Sequence, residues 1–438
     1  MALLLAGCTA APATAPATHR TGPTAAASTP TATPATLAAT QSVTASAEQF
    51  AAQIVSGAFG AQWGELAPQA QRLWPSQAAR TAMLQAKFSD APITSINLGP
   101  PTQDVTWYDP ESPVISVADT WRFPVSVSFA NPDSLSPPGV AALFSMTQIS
   151  LEYDAATGLA LVVGEGPASL DAPVIVPPSV TSREVDVPIF MYHLVYNQEP
   201  QESAYGGNTY GWEIDVGLTT LTSQFQAQMA YASSIGATSI SMQHLADALL
   251  YGLPLPPHSF VVTFDDGRLS QWVNAVPILR QYGFTAVFFP CTALVGGVYG
   301  PQLYMTAAEI RDLATTGFSV GDHTLKDNVA LWTGEATTGQ LNVVTDQSKT
   351  TLETLVGGQP IQFIAYSGLW PGPSQFSYTA QEQPLFTTLQ SYGYVGGLQD
   401  LDDPTATDYS TSLWQLPRVR VGIGTSTSSW DAWVESAA

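Results

Sequence analysis

Short apolar strands alternate with amphipathic helices over residues 187–438, and this is the clearest pattern in the chain. Apolar positions at helical spacing precede Gly283, a residue type that commonly ends helices, and the β-forming run 284–289 follows it. Residues 306–309 and 379–382 both read Thr-x-x-Glu, the capping-box pattern of a helix start. Alternation of this kind predicts parallel β-α units in an α/β domain, with functional residues at one edge of the sheet.

A different pattern covers residues 46–170. Phe50, Ile54 and Ala58 form an apolar helical face, and strand-like alternation appears later, as at Ile149, Leu151 and Tyr153. Helices followed by a run of strands predict a smaller α+β domain. The order of its elements resembles that of the NTF2-like cone. No cluster of titratable residues stands out here, so spacing, docking and ligand-binding roles all stay open.

The first 45 residues have the composition of an export signal and a tether. Residues 1–8 end in Leu-Ala-Gly-Cys, which resembles a bacterial lipobox and implies a lipidated Cys8 that anchors an extracytoplasmic protein to the membrane. Residues 9–45 are almost wholly Ala, Thr, Pro and Ser, which predicts a disordered, extended tether. The prolines within residues 171–186 predict a linker between the two predicted domains.

The charge of the chain limits the classes of partner it can bind, and its cysteine content limits the disulfides it can form. The formal net charge is −22, with only 13 Lys and Arg residues, which excludes nucleic acid as a partner and disfavours electrostatic binding to anionic lipid headgroups. Cys8 and Cys291 are the two cysteines of the chain. Lipidation of Cys8 would preclude a disulfide within the chain, so the sequence predicts that Cys291 is a buried thiol.

The segment 260–267 reads Phe-Val-Val-Thr-Phe-Asp-Asp-Gly, an apolar strand that ends in two carboxylates and a glycine. Successive side chains of a strand point to opposite faces, so Asp265 and Asp266 can serve one pocket only where the strand has already begun to turn. One acid can then bind a divalent metal while the other removes a proton from water. Taken alone, an Asp-Asp-Gly segment is also typical of a loop that opens with a side-chain cap.

Three further segments make the pattern specific. Residues 191–193 read Met-Tyr-His, residues 321–324 read Gly-Asp-His-Thr, and residues 417–421 read Pro-Arg-Val-Arg-Val. Together with Thr-Phe-Asp-Asp-Gly and in the same order, they resemble the polysaccharide deacetylases of the NodB-homology type. The resemblance covers about residues 187–425 and implies a distorted (β/α) barrel that binds a divalent metal, with zinc favoured and cobalt, nickel or manganese as alternatives.

The resemblance also implies a role for each matching residue. Asp265 would be the general base, Asp266 and His323 metal ligands, and His193 the general acid that protonates the leaving amine. Arg418 would orient and ionise Asp265, as a guanidinium beside a carboxylate does.

Two positions depart from the family pattern. Asp327 stands where the family usually has a second histidine, and it becomes a candidate third ligand of a more anionic site. Ser367 replaces the proline of the family's Ala-Tyr-Pro segment, next to Tyr366, so the oxyanion contribution expected from this turn is weakened.

These features predict an enzyme that hydrolyses N-acetyl groups on cell-wall or surface polysaccharide, including peptidoglycan glycan strands, and releases acetate. One alternative is a degenerate deacetylase that binds glycan without hydrolysis, because of Asp327 and Ser367. Another is a surface lipoprotein that acts through an interaction domain at residues 46–170.

Overall fold

The computed structural model of the chain describes residues 34–89, 92–130, 148–165, 185–197, 217–299, 302–326, 345–369, 383–400 and 413–437. The described amino-terminal part packs helices on an antiparallel sheet. Its helices are α1 (Pro34–Ser56), the 3₁₀ turn Ala61–Glu65, α2 (Pro68–Gln71) and α3 (Gln77–Ser89). Its strands are β1 (Ile93–Leu98), β2 (Thr102–Asp109), β3 (Ser112–Phe129), β4 (Gln148–Asp154) and β5 (Leu159–Glu165), in the order β1-β3-β4-β5 with β2 also paired to β3.

This part agrees with the predicted helices followed by strands, but its boundary differs from the prediction. Helix α1 begins at Pro34, so residues 34–45 are helical, and the predicted extended tether is wrong for them. The physical reason is that proline is tolerated in the first helical turn, alanine favours helix, and Ala39 and Val43 are buried in the domain core. Residues 9–33 and Cys8 lie outside the described residues, and the resemblance to an NTF2-like cone stays a prediction.

The carboxy-terminal part is a mixed α/β domain built on parallel strands. Its strands are β6 (Ile189–Tyr192), β7 (Leu194–Tyr196), β8 (Thr219–Leu221), β9 (Thr238–Ser239), β10 (Ser259–Asp266), β11 (Val287–Pro290), β12 (Val298–Tyr299), β13 (Gln302–Leu303), β14 (Ser319–Val320), β15 (Phe363–Leu369), β16 (Gly396–Asp400) and β17 (Val419–Arg420). Its helices are α4 (Thr222–Ser234), α5 (Met242–Tyr251), the π-helical turn Gln271–Ala275, α6 (Val276–Tyr282), the 3₁₀ turn Thr292–Leu294, α7 (Ala307–Thr315), α8 (Gln347–Leu355), α9 (Gln383–Ser391) and α10 (Thr427–Ser436). None of the helices described is long and apolar enough to cross a membrane.

The main sheet has the strand order β14-β11-β10-β6-β17, and all of these pairings are parallel. Strands β15 and β16 form a second parallel pair. Isolated parallel bridges link Asp322 to Ile364 and Leu398 to Leu416, so backbone pairing continues from the segment after β14 to β15, and from β16 to the segment before β17. Adjacent parallel strands bring their carboxyl ends to the same edge.

Several local predictions are confirmed. Gly283 ends α6 with φ 72°, a left-handed conformation that glycine adopts without strain. Thr306 and Glu309 form the predicted capping box at the start of α7. The predicted 379–382 capping box lies outside the described residues.

The amino-terminal and carboxy-terminal parts meet through a buried ion pair and the β2–β3 hairpin. Lys87 of α3 and Asp247 of α5 are both buried, with Nζ 2.9 Å from Oδ1. The β2–β3 turn supplies Glu111, whose Oε2 accepts a 2.8 Å hydrogen bond from the backbone N–H of Ser241. The same turn contacts Gly283 and Gly317, which precede β11 and β14. The amino-terminal part therefore contacts the amino ends of these strands, at the edge opposite their carboxyl ends.

We expect Gly317→Ala to destabilise the chain by about 1–3 kcal/mol more than Gly358→Ala, because an added methyl group overpacks the domain contact. Both glycines have positive φ, 91° and 85°. A Cβ on Gly317 would lie 2.8 Å from Pro113 Cβ and 2.9 Å from the Asp109 carbonyl oxygen, whereas a Cβ on Gly358 meets nothing within 4 Å. Chemical denaturation of the two variants measures the difference. Equal destabilisation would contradict the contact.

Candidate active site

The two acids lie where strand β10 becomes a turn. All residues of β10 are buried, and its last two are Asp265 and Asp266. Asp266 has φ 72° and Gly267 has φ 76°, so the chain makes two consecutive left-handed steps. Asp tolerates this conformation better than most residues, and a Cβ at Gly267 would lie 2.6 Å from Pro290 Cβ. The turn therefore frees both carboxylates from strand alternation, as the sequence predicts, and glycine is required after them.

Asp265 forms a buried bidentate pair with Arg418. Nη1 and Nη2 of Arg418 donate to Oδ1 and Oδ2 of Asp265, each at 2.7 Å. The Nε of Arg418 donates to the Gln399 carbonyl at 2.7 Å, which fixes the plane of the guanidinium. Burial alone would raise the pKa of Asp265, but the bidentate pair with Arg418 and the neighbouring imidazoles together outweigh it and lower the pKa to about 2. Asp265 is thus held ionised and oriented.

Asp266 faces a second set of cationic or imidazole groups. Its Oδ2 lies 3.1 Å from Arg268 Nε, and its Oδ1 lies 3.6 Å from His323 Nε2. Burial raises its pKa, while Arg268, His193 and His323 act in the opposite direction, and the net pKa lies below the ordinary value. Both acids of the doublet are therefore carboxylates at neutral pH.

His323 is oriented by its backbone surroundings. Its Nδ1 lies 2.9 Å from the Ala365 carbonyl oxygen, which can only accept, so Nδ1 carries a proton and Nε2 is the ring nitrogen that faces Asp266. This is the arrangement that metal-binding histidines adopt. The neighbouring Asp322 is buried and accepts hydrogen bonds from Ser348 and Tyr394; burial raises its pKa to about 6.

A third donor, Cys291, joins this pair. Ligand atoms of Asp266, Cys291 and His323 all lie within 4.8 Å of one another, and all three residues are buried. A carboxylate, an imidazole and a thiol form a donor set that suits a divalent first-row ion such as zinc. Asp327, the predicted third ligand, lies outside the described residues.

His193 follows β6 directly and faces Asp265. Its Nε2 lies 3.9 Å from Asp265 Oδ2, and its side chain is largely buried. Gln271 joins the two segments, because its Nε2 donates to the His193 carbonyl at 2.7 Å and to the Asp265 carbonyl at 2.5 Å. The buried Nδ1 of His193 has no hydrogen-bond partner among the described residues. The predicted acid and base are therefore adjacent.

Tyr366 is engaged inside the domain. Its hydroxyl donates to the Trp414 carbonyl at 3.0 Å, and its ring packs against the α-carbon of Gly397. The predicted oxyanion contribution of this segment would therefore come from its backbone rather than from the tyrosine hydroxyl. Ser367 belongs to β15, and its side chain lies outside the part of the chain that the structure describes.

Sequence reasoning missed Arg268 and Gln271, and it assigned Cys291 only to the core. Arg268 follows the glycine turn directly, and its guanidinium stacks over the Tyr304 ring, 4.5 Å from the centroid. The signal that could have identified Cys291 is its position immediately after β11, because Pro290 of that strand pairs in register with Asp266.

Comparison with known proteins agrees with this geometry. Residues 253–371 match the family model for polysaccharide deacetylase, a span that includes Asp265, Asp266, Cys291 and His323. YxkH of Bacillus subtilis (strain 168), whose name assigns it to the same family, is 24% identical over 256 residues, which is 58% of this chain and 78% of that protein.

Two further relatives have names that state an activity. The poly-β-1,6-N-acetyl-D-glucosamine N-deacetylase of Escherichia coli (strain K12) is 33% identical over 73 residues, 17% of this chain and 11% of that protein. The Streptococcus pyogenes deacetylase PplD, solved in complex with acetate, is 21% identical with a TM-score of 0.44, over 59% of this chain and 100% of that one. The chain is therefore similar to polysaccharide deacetylases over residues 253–371, and this similarity is consistent with an enzyme of the hydrolase class.

Proposed function

We propose that the chain is a metal-dependent deacetylase that removes acetyl groups from N-acetylglucosamine-type sugars of cell-wall or surface polysaccharide. The observation that carries the proposal is the buried Asp265–Arg418 pair beside the Asp266–His323 pair. The Asp265 carboxylate is paired with a guanidinium, which orients it for action as a base, while the Asp266 carboxylate faces Nε2 of His323. The family match points to the same activity.

The residues divide the reaction between them. A divalent cation bound by Asp266 and His323 would polarise the acetamide carbonyl and acidify water. Asp265 takes the proton of the attacking water, whose oxygen bonds to the carbonyl carbon. The C–N bond then breaks, His193 gives a proton to the departing amine nitrogen, and acetate and a free amine result. The 3.9 Å separation of His193 Nε2 and Asp265 Oδ2 supports this division, because the proposed acid and base can then reach the same reacting group.

The proposal includes a distorted (β/α) barrel. The bridges at Asp322–Ile364 and Leu398–Leu416 support it, because they connect β14 to β15 and β16 to the approach to β17. Strand β17 in turn pairs with β6. Lipid anchoring through Cys8 and an extracytoplasmic location remain part of the proposal, supported by the Leu-Ala-Gly-Cys sequence.

The direct test is acetate release from N-acetylglucosamine oligomers. Protein stripped with a chelator should be inactive, and zinc or cobalt should restore activity, with one free amine formed per acetate. If the protein binds the oligomer but releases no acetate with any of the divalent metals, the glycan-binding alternative replaces this proposal.

We expect His193→Gln to lower amide hydrolysis by about 10²–10⁴-fold while hydrolysis of an aryl acetate ester changes little. An amine must be protonated to leave, whereas a phenolate leaves without help from an acid. The ratio of the two activities, compared between wild type and variant, measures this role. A parallel loss of both activities would show that His193 supports the site rather than the leaving group.

A further inference from the structure

The strand order places Cys291 between the two predicted metal ligands. Asp266 ends β10, Cys291 follows β11 and His323 follows β14, and β11 is the middle strand of the three. The backbone N–H of Cys291 donates to the Asp266 carbonyl at 3.2 Å, and the N–H of His323 donates to the Pro290 carbonyl at 3.4 Å. The Cys291 thiol donates to the His323 carbonyl at 3.5 Å. Cys291 thus forms hydrogen bonds with both Asp266 and His323.

We propose that Cys291 is a protein ligand of the metal, as a thiolate, in an Asp266–Cys291–His323 site. This inference rests on the metal dependence in the proposed function. Tetrahedral zinc with bonds of about 2.0–2.3 Å separates two oxygen or nitrogen donors by about 3.4 Å and a sulfur from either by about 3.6 Å. The Asp266 Oδ1 and His323 Nε2 atoms are 3.6 Å apart, and the three donors lie within 4.8 Å. Small side-chain rotations would close the site.

Binding through sulfur changes the chemistry of the site. The thiol must lose its proton, which passes to solvent, so one proton is released for each ion bound. A thiolate and a carboxylate beside one neutral imidazole neutralise a divalent ion more fully than one carboxylate and two imidazoles. The donor set therefore selects zinc and cobalt over harder ions such as magnesium or manganese. A thiol that only filled space would need no position next to both Asp266 and His323.

Cobalt spectroscopy tests the inference directly. The parent protein and every variant in this experiment carry Cys8→Ser, so that Cys291 is the one remaining cysteine of the chain. With one equivalent of Co²⁺, the parent protein should show a near-ultraviolet thiolate-to-cobalt charge-transfer band. Cys291→Ser should lose the band, and Asp327→Asn should keep it. Circular dichroism of Cys291→Ser and Cys291→Ala reports whether each variant is folded, and either folded variant suffices for the comparison.

Affinity gives a second readout. Chelator competition should show zinc binding weakened by at least about 100-fold in Cys291→Ala, since residues that contact only the ligands already account for about 10–100-fold. Bound cobalt without the band in the parent protein, or no cobalt binding at all, overturns the inference. Metal-dependent acetate release without the band would leave the deacetylase standing and remove Cys291 from the site. The charge-transfer band without acetate release would support Cys291 as a metal ligand and contradict the proposed deacetylase activity.

Discussion

Replacing Asp265 by asparagine is expected to lower acetate release from N-acetylglucosamine oligomers by about 10²–10⁴-fold. Asparagine keeps the shape of the side chain and an oxygen that accepts from Arg418, but it cannot take a proton from water. The loss should appear in kcat with a smaller change in KM, because the base acts on the reacting water rather than on the bound sugar. Acetate release under saturating substrate measures it.

Asp119→Asn is the matched control, because the same chemical change is made at an exposed residue. Asp119 has φ 57°, a conformation that asparagine also tolerates. Its activity should equal that of wild type. Undiminished acetate release by Asp265→Asn would remove Asp265 as the base, whatever the metal content of the protein.

Arg418→Met is expected to destabilise the fold by about 3–5 kcal/mol, because it leaves the buried Asp265 carboxylate without its cation. Both side chains are inaccessible in the fold, 0% and 1% exposed, so solvent cannot replace the lost partner. Urea unfolding of variant and wild type at neutral pH measures the difference. Adding Asp265→Asn to Arg418→Met should recover part of the stability, because the double variant no longer buries an unpaired charge.

The pH dependence of this difference follows from the direction of the pKa shift. The pKa of Asp265 is lowered from 3.8 to about 2, so in wild type the pair contributes stability that is present above about pH 4 and is lost as pH falls through about 2. Without Arg418, burial raises the pKa of Asp265, and the acid becomes neutral on mild acidification. The destabilisation by Arg418→Met should therefore shrink as pH falls. A difference that is independent of pH would contradict the ion-pair explanation.

Much of the candidate site could be predicted from local sequence. Asp265, Asp266, His193 and His323 each stand at or just after the end of a strand-forming run, and parallel strands deliver such residues to one edge. Arg418 is indicated by the resemblance of residues 417–421 to the deacetylase family, and its place in an apolar segment of a chain with few basic residues favours the same interpretation. The pairing of this arginine with Asp265 is bidentate and buried, which is what its predicted role requires.

Local sequence could not identify residues whose role depends on which strands are neighbours. Cys291 follows an apolar run and resembles a core residue until β11 is placed between β10 and β14. The helical start of α1 at Pro34 could not be predicted for a related reason. An Ala-rich segment is extended or helical depending on whether its apolar side chains pack against the rest of the fold.

The sequence by itself determined the kinds of element, the caps and turns, and the residue types at the strand ends, because propensity and hydrophobic period act over a few residues. Only the tertiary structure decided that Cys291 lies beside Asp266 and His323, that the Tyr366 hydroxyl donates to the Trp414 carbonyl, and that the β2–β3 turn packs beside Gly317. The physical reason is that these contacts join residues far apart in the chain, and strand order and packing, rather than local pattern, bring them together.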